Sequence, residues 1–253
     1  MPDVTSLLLV GAAAFAAGFV NAIAGGGSLI TFPTLVAVGL SPVAASVTNT
    51  IALCPGYLGA TITQRRDLAG QRTRIATILP GAILGGIAGA LLLLSTNDRA
   101  FDRMVPFLIL LAAALLAVQD RVRSWLLARQ TTPHAEAWAA LPIALSAIYG
   151  GYFGAGMGVM ILAALGIVLS DTLTRLNALK QTVSLSVNVA AAALFVVWGG
   201  DRVHWPICGV MLATSLGGGA LGGVLASRIS ARVLRWLVIT IGVAVAIIYV
   251  ARW

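Results

Sequence analysis

Lys180 is the residue whose surroundings most demand a chemical reason. It stands inside the apolar run from Leu173 to Trp198, several residues past the run's polar start. Lysine at membrane depth is costly and marks a functional position by default. No Asp or Glu lies within a long apolar run to balance it, so a substrate anion is the partner its setting suggests. The bland alternative is snorkelling to an interface about two turns away, near Asp171. Asn177, Gln181, Ser184 and Asn188 follow a 4-3-4 spacing. That spacing places them on one helix face, with Lys180 adjacent. Hydrogen bonding between helices would explain one or two such residues. Four of them and a lysine point to a pathway.

A second constellation is Gly25-Gly26-Gly27, with Asn21, Ser28 and Thr31 around it, and a looser counterpart at Gly154, Gly156 and Gly158. Glycines let a chain leave the helix, and backbone freed at membrane depth must face protein or a water-filled cavity. The helix that starts beyond such a break presents free N–H groups and a partial positive charge. The segments starting near Ser28 and Val159 therefore offer two anion-attracting ends. Thr48-Asn49-Thr50 adds polar groups in the next apolar run. The other glycine groups, Gly85, Gly86, Gly89 and Gly218, Gly219, Gly222, read as surfaces for close helix packing.

Other chemistries lack their residues. The single glutamate, Glu136, lies in the central loop, and the seven aspartates with His134 and His204 lie in loops or at their edges. A hydrolase or metalloenzyme needs clustered carboxylates or histidines. A proton-driven pump usually shows an intramembrane acid or histidine relay, and an ATP-driven one a phosphate-binding motif. None is visible, so a transporter is expected rather than an enzyme, with no metal and no cofactor. Cys54 and Cys208 lie in or beside apolar runs and read as small packing residues.

The elements that must position these residues follow from composition. Of 253 residues, 59% are hydrophobic and 9% charged, against roughly 25% charged in soluble proteins. The bilayer must be the solvent for most of the chain. The net charge of +8 raises the question of nucleic acid. The arginines, however, sit in short loops between apolar runs and lack the spacing of a basic face. The expected partners are the lipid bilayer and a small anionic substrate, without nucleic acid, and a homo-oligomer is left open. No Lys or Arg precedes the first apolar run, which therefore reads as a retained membrane helix rather than a cleaved signal.

Ten apolar segments follow one another, at about 6–24, 28–40, 43–63, 75–94 and 101–118, then about 138–153, 159–169, 174–198, 206–226 and 233–249. The second and seventh are short: 13 residues make roughly 20 Å of helix, where a bilayer core of about 30 Å needs about 20 residues. The halves match. Leu84-Gly85-Gly86-Ile87-Ala88-Gly89 aligns with Gly217-Gly218-Gly219-Ala220-Leu221-Gly222, and Gly25, Gly27, Leu40 and Ser41 align with Gly154, Gly156, Leu169 and Ser170. This is an internal duplication, with a first repeat over 1–119, a connecting cytoplasmic loop over 120–136 and a second repeat over 137–253.

Counting each broken pair as one crossing makes the repeats parallel; counting it as two makes them inverted. Loop charge decides. The inverted arrangement gathers Arg65, Arg66, Arg72, Arg74, Arg121, Arg123, Arg129, Arg175, Arg228, Arg232 and Arg235 on one side and leaves Arg99, Arg103, Arg202 and Arg252 on the other. The parallel one divides them almost evenly. The expectation is an all-α polytopic membrane protein of two inverted repeats, about five helical segments each, with Gly-broken short helices at the start of each repeat and both termini outside.

The run Gly18-Phe19-Val20-Asn21-Ala22-Ile23-Ala24-Gly25-Gly26-Gly27-Ser28-Leu29-Ile30-Thr31-Phe32-Pro33, followed by Ser41-Pro42 and Thr48-Asn49-Thr50, resembles the first repeat of the TauE/SafE sulfite exporter family. Asn177-Ala178-Leu179-Lys180-Gln181 and Asn188 resemble its second repeat, and the likeness runs from about Leu7 to Val250. It implies a multi-pass protein of the bacterial inner membrane that exports sulfite, sulfoacetate or a related sulfonate. The substrate-binding residues expected from both lines of reasoning are Asn21, Gly25, Gly26, Gly27, Ser28, Thr31, Thr48, Asn49, Gly154, Gly156, Asn177, Lys180, Gln181, Ser184 and Asn188. The competing readings are an anion-selective channel, a membrane enzyme acting on a lipid-linked phosphate, and a structural partner subunit.

Overall fold

The computed structural model describes residues 3–128, 140–225 and 228–251. Among these residues the chain forms α1 (Val4–Ile23), α2 (Ser28–Ala37), α3 (Pro42–Thr63), α4 (Arg72–Ser95) and α5 (Asp98–Ala128). After the central connection come α6 (Ala140–Tyr152), α7 (Met157–Val168), α8 (Leu173–Trp198), α9 (Trp205–Leu225) and α10 (Ala231–Ala251), with short 3₁₀ turns at Arg65–Leu68 and Gly200–Arg202. Helices α1, α4, α5, α8, α9 and α10 are long and apolar enough to cross a membrane. Helix α3 is as long, at 22 residues, but Ser46, Thr48, Asn49 and Thr50 make it more polar. The short helices are α2, α6 and α7.

The helix starts follow local chemistry. The Asp3 carboxylate accepts from Ser6 N–H at 3.1 Å, Ser41 caps α3 ahead of Pro42 at its first turn, and Thr172 caps α8 through Arg175 N–H. Each side chain satisfies one of the donors a helix leaves free at its start.

Packing relies on small residues. Lipid is as apolar as a leucine side chain, so membrane helices associate where small residues let backbones approach. Gly18 of α1 lies against Ser215 and Gly219 of α9, and Gly151 of α6 lies against Gly86 and Ala90 of α4. Gly89 meets Ile148, Gly218 meets Phe15 and Gly222 meets Phe19. The glycines that the sequence assigns to close packing are used that way.

Contact order also gives helix direction. Gly11 lies by Val210, Gly18 by Ser215 and Gly222 by Phe19, so α1 and α9 run parallel. Gly81 lies by Ala140, Gly85 by Ala144 and Gly89 by Ile148, so α4 and α6 run parallel too. Helices α3 and α8 oppose each other: Asn177 near the start of α8 donates to Gln64 just past the end of α3. Contacts come in exchanged pairs, α1 on α9 with α6 on α4, and α2 on α10 with α7 on α5.

The bundle has two distinct ends. At one, Val43 N–H donates to Asp98 and Arg202 donates to Leu94 O. At the other, Arg74 and Arg175 hold Asp171, Gln71 donates to Arg175 O, and Arg235 pairs with Asp120 at 2.6 Å. Among the described residues Arg65, Arg66, Arg72, Arg74, Arg121, Arg123, Arg175, Arg228, Arg232 and Arg235 gather at this second end, and Arg99, Arg103 and Arg202 at the first. Arg129, His134, Glu136 and Arg252 lie outside the described residues.

One sequence expectation needs correction. The polar stretch from Asp120 reads as the start of a loop, but α5 continues through it to Ala128. Arg235 and Arg232 of α10 pair with Asp120 from α5 itself, so Asp120 belongs to a helix–helix contact. Asp102 likewise lies within α5 rather than at a loop edge. The outer surface is apolar, and several polar residues are buried within. Val197, Trp198 and Phe107 face outward, while Asn21, Thr31, Asn49, Gln181 and Asn188 are buried.

Candidate anion-binding site

The first break is closed by its own backbone. Ala24 and Gly25 N–H both return to Val20 O, at 2.7 and 2.9 Å. Gly25 then takes φ +82° and Gly26 φ +86°, in the left-handed region that glycine enters at little cost. The chain folds back so tightly that a Cβ on Gly27 would run into the Ala17 backbone. Asn21, on the last turn of α1, accepts from Gly27 N–H through Oδ1 at 2.7 Å, so α1 caps the start of α2. The second break repeats the closure: Phe153 and Gly154 N–H return to Tyr149 O, and Gly154 and Gly156 take φ of +80° and +79°. Here Tyr149 braces the turn by donating its hydroxyl to Ala155 O at 2.7 Å.

Beyond each break a helix begins with unused donors. Among the described residues, the backbone N–H groups of Ser28 and Gly158 make no hydrogen bond. Both residues line one small cavity, shared with Asn21, Gly25, Gly26 and Tyr57 from the first half and Gly154, Ala155, Gly156, Lys180, Gln181 and Ser184 from the second. The positive ends of α2 and α7 therefore converge on the same space.

Lys180 enters this space from α8. It is 6% exposed, so it does not snorkel to the interface. Its Nζ would stand 3.9 Å from a Cβ on Gly158, next to the N-terminus of α7. Among the described residues it has no hydrogen bond or ion pair. A buried ammonium beside a positive helix end is a repulsive arrangement until an anion joins it. Gln181 donates to Asn21 O at 3.3 Å, tying α8 to the end of α1. Toward the Asp98 end of the bundle, the buried rings of Phe32, Phe101, Phe153 and Tyr152 pack edge to face.

The sequence-predicted residues divide around this cavity. Asn21, Gly25, Gly26, Ser28, Gly154, Gly156, Lys180, Gln181 and Ser184 line it. Gly27 is the cap acceptor's partner behind the lining. Thr31 donates to Asn49 Oδ1, bracing α2 on α3 one layer out. Asn188 donates to Ser184 O at 2.8 Å, one turn further along α8. Thr48 points elsewhere, accepting from His204 N–H at the Asp98 end, and Asn177 lies in a separate cavity toward the arginine-rich end. Tyr57, Ala155 and Gly158 are lining residues that the sequence reading passed over. Tyr57 lies two turns past Asn49 on the same face of α3, so helical periodicity points to it. Gly158 was visible as a break residue but not as Lys180's neighbour.

Long apolar helices, a polar interior and two broken helices meeting at an uncompensated lysine define a membrane transporter. Residues 10–249 match the family described as Sulfite exporter TauE/SafE. The chain belongs to that family. It is similar to a "Probable membrane transporter protein" of Haemophilus influenzae, 32% identical over 233 residues that cover 89% of this chain and 87% of the relative. It is also similar to the "Probable membrane transporter protein YfcA" of Escherichia coli K12, at 28% identity over 90% of this chain and 83% of that one. A third relative, "Probable membrane transporter protein ORF9" of a Sinorhizobium species, is 28% identical over 93% of this chain and 88% of its own length. No solved structure matches the chain.

Proposed function

We propose that the protein exports a small sulfur-containing anion, such as sulfite, sulfoacetate or a related sulfonate, across the bacterial cytoplasmic membrane. The observation that carries this reading is the convergence of Lys180 with the free N–H ends of α2 and α7 on one cavity. A sulfonate or sulfite offers three oxygens to such donors and one negative charge or two to the ammonium. The family description names sulfite exporters, which favours sulfur oxyanions over carboxylates.

In this reading the two halves are inverted repeats and the site lies between them near the membrane midplane. The opposed directions of α3 and α8 and the exchanged contacts support it. The arginine-rich end is cytoplasmic by the positive-inside rule. Transport proceeds by alternating access: the aromatic packing of Phe32, Phe101, Phe153 and Tyr152 closes the outer side while the inner side admits substrate. The apolar runs of the sequence carry no chain of acids or histidines for a proton relay, so the drive in this reading is the membrane potential. At about 2.3 kcal/mol per charge per 100 mV, an inside-negative potential favours anion exit.

The purified protein in liposomes tests this. Sulfite or sulfoacetate flux that saturates, shows counterflow and follows an imposed potential is the expected result. Strict dependence on a proton gradient contradicts the drive, and flux without saturation or counterflow favours an anion channel. The buried aromatic packing on that side is the observation that favours a carrier over that channel.

A further inference from the structure

The cavity at Lys180 has a larger neighbour. One turn of α8 toward the arginine-rich end, a space of about 390 Å³ opens between the end of α1, α5, α8 and α10. Gln64, Gln119, Arg123, Thr174, Asn177 and Arg235 supply its polar lining. Its charge is unbalanced. Arg235 gives Nη1 to Asp120 at 2.6 Å, and Arg232 approaches the same carboxylate at 3.5 Å. Arg123, exposed on α5, has no ion pair or hydrogen bond among the described residues. Asp120 thus pairs with two guanidiniums, and the cavity lining adds a third, Arg123, with no carboxylate of its own among the described residues.

Two buried atoms here also lack partners. Arg235 is 4% exposed, yet among the described residues its Nε makes no hydrogen bond, and neither does Gln119 Oε1. A buried donor left unpaired is costly and calls for an explanation. A planar guanidinium with a free Nε–H beside a polar cavity is the group that recognises an oxyanion. A hydrogen bond sits in the lining of each cavity: Asn177 Nδ2 to Gln64 Oε1 at 2.7 Å in this one, and Gln181 Nε2 to Asn21 O at 3.3 Å in the one at Lys180. Both tie α8 to the first half of the chain.

We propose that this vestibule is a second anion site, a staging site in which Arg123 and Arg235 hold the substrate's sulfonate or sulfite group before it passes the Asn177–Gln64 clasp to Lys180. The inference rests on the anion-carrier reading above. The vestibule concentrates the anion at the arginine-rich end by its positive potential and sets affinity on that side, while Lys180 serves the transported state.

Sulfite and methanesulfonate transport by the whole chain in liposomes, measured from the arginine-rich side, tests it. Arg123→Gln raises the apparent KM about three- to tenfold at low ionic strength and leaves the maximal rate unchanged, because a charged cleft raises local substrate concentration. The difference fades toward 1 M salt, where charges are screened within about 3 Å, and Arg123→Lys restores the low KM. Arg123 is exposed, so the thermal midpoint stays at the wild-type value and a folding defect is separable. In Lys180→Ala, radiolabelled sulfite retains a weak, salt-sensitive binding component that Arg123→Gln removes. A wild-type KM in Arg123→Gln at low salt, or a loss of maximal rate with KM unchanged, overturns the staging site alone. If the wild type neither binds nor transports either anion, the carrier reading falls and the staging site with it.

Discussion

Lys180 packs against Gly158, its Cδ 3.5 Å and its Nζ 3.9 Å from the point where a Cβ would stand on that glycine. The relationship joins the charge of α8 to the positive end of α7. A side chain at position 158 would take up space against the lysine that the bare glycine leaves open.

Gly158→Ala therefore separates folding from binding. The new methyl makes only ordinary contact with the lysine, and alanine suits a helix better than glycine. Thermal stability without ligand is expected to match or exceed that of the wild type. Sulfite affinity is expected to fall tenfold or more, equivalent to about 1.5–3 kcal/mol, the worth of a hydrogen bond to a charged group. Calorimetric titration reads both quantities on one preparation, and undiminished affinity would remove Gly158 from the site.

Asn21→Asp probes the sign of the cavity. The carboxylate keeps an acceptor for Gly27 N–H, so the break survives, but it gives Lys180 an internal counter-ion. The expected result is a folded protein that no longer responds to sulfite or sulfonates in a melting assay. Asn21→Ala, by contrast, loses the cap and is expected to cost about 1 kcal/mol of stability. An Asn21→Asp protein that transports anions normally would show that the cavity is not the anion's path.

The ion pairs at the arginine-rich end make stability depend on acid. Burial pushes the Asp171 carboxyl up, but hydrogen bonds from Arg175, Thr172 N–H and Arg74 outweigh it and hold the group below its ordinary value of 3.8. A carboxyl lowered by folding contributes stability that is fully present above the unfolded value and is lost as pH falls through the folded one. Melting scans are expected to show a loss beginning near pH 4 and growing below it. Asp171→Asn is expected to start lower at pH 7 and to lack this part of the acid dependence. Parallel pH profiles for the two proteins would refute the assignment.

Gly151→Ala tests the small-residue contacts. Its Cβ would meet the Gly86 and Ala90 backbone, which cannot rotate aside, so α6 and α4 must separate. Overpacking of this kind costs about 1–3 kcal/mol. The same change at Gly200, where nothing lies within 4 Å, is expected to be nearly silent, and equal melting points for the two variants would contradict the packing account.

The segment order was legible in the sequence because apolar runs, Pro and Gly mark membrane helices strongly. The ten α-helices among the described residues fall where the runs lie. The end of α5 was not legible, because Asp120, Arg121 and Arg123 look like a loop until Arg235 and Arg232 of α10 are seen pairing with Asp120. Of the candidate site, the 4-3-4 stripe on α8 was half informative. Gln181 and Ser184 line the cavity, but Asn177 and Asn188 lie a turn below and above it, since a helix face is longer than a binding site. Thr48 shared its polar neighbours' signal yet bonds His204 across the bundle, a contact 156 residues away in sequence. Tyr57 and Gly158 depend on how α3 and α7 pack on α8, which single-segment periodicity does not specify.

The central claim is that Lys180 holds the transported anion. Ligand-induced thermal stabilisation of the purified protein, wild type beside Lys180→Ala, tests it most directly, with sulfite, sulfoacetate, sulfate and simple carboxylates as probes. A ligand at a hundred times its Kd stabilises the folded state by about 2.7 kcal/mol. The account predicts that sulfite or a sulfonate raises the wild-type midpoint, and that Lys180→Ala, which removes an uncompensated buried charge and still folds, shows only the small shift of a weak second site. An equal rise in both proteins, or none in the wild type with any of these anions, would contradict it.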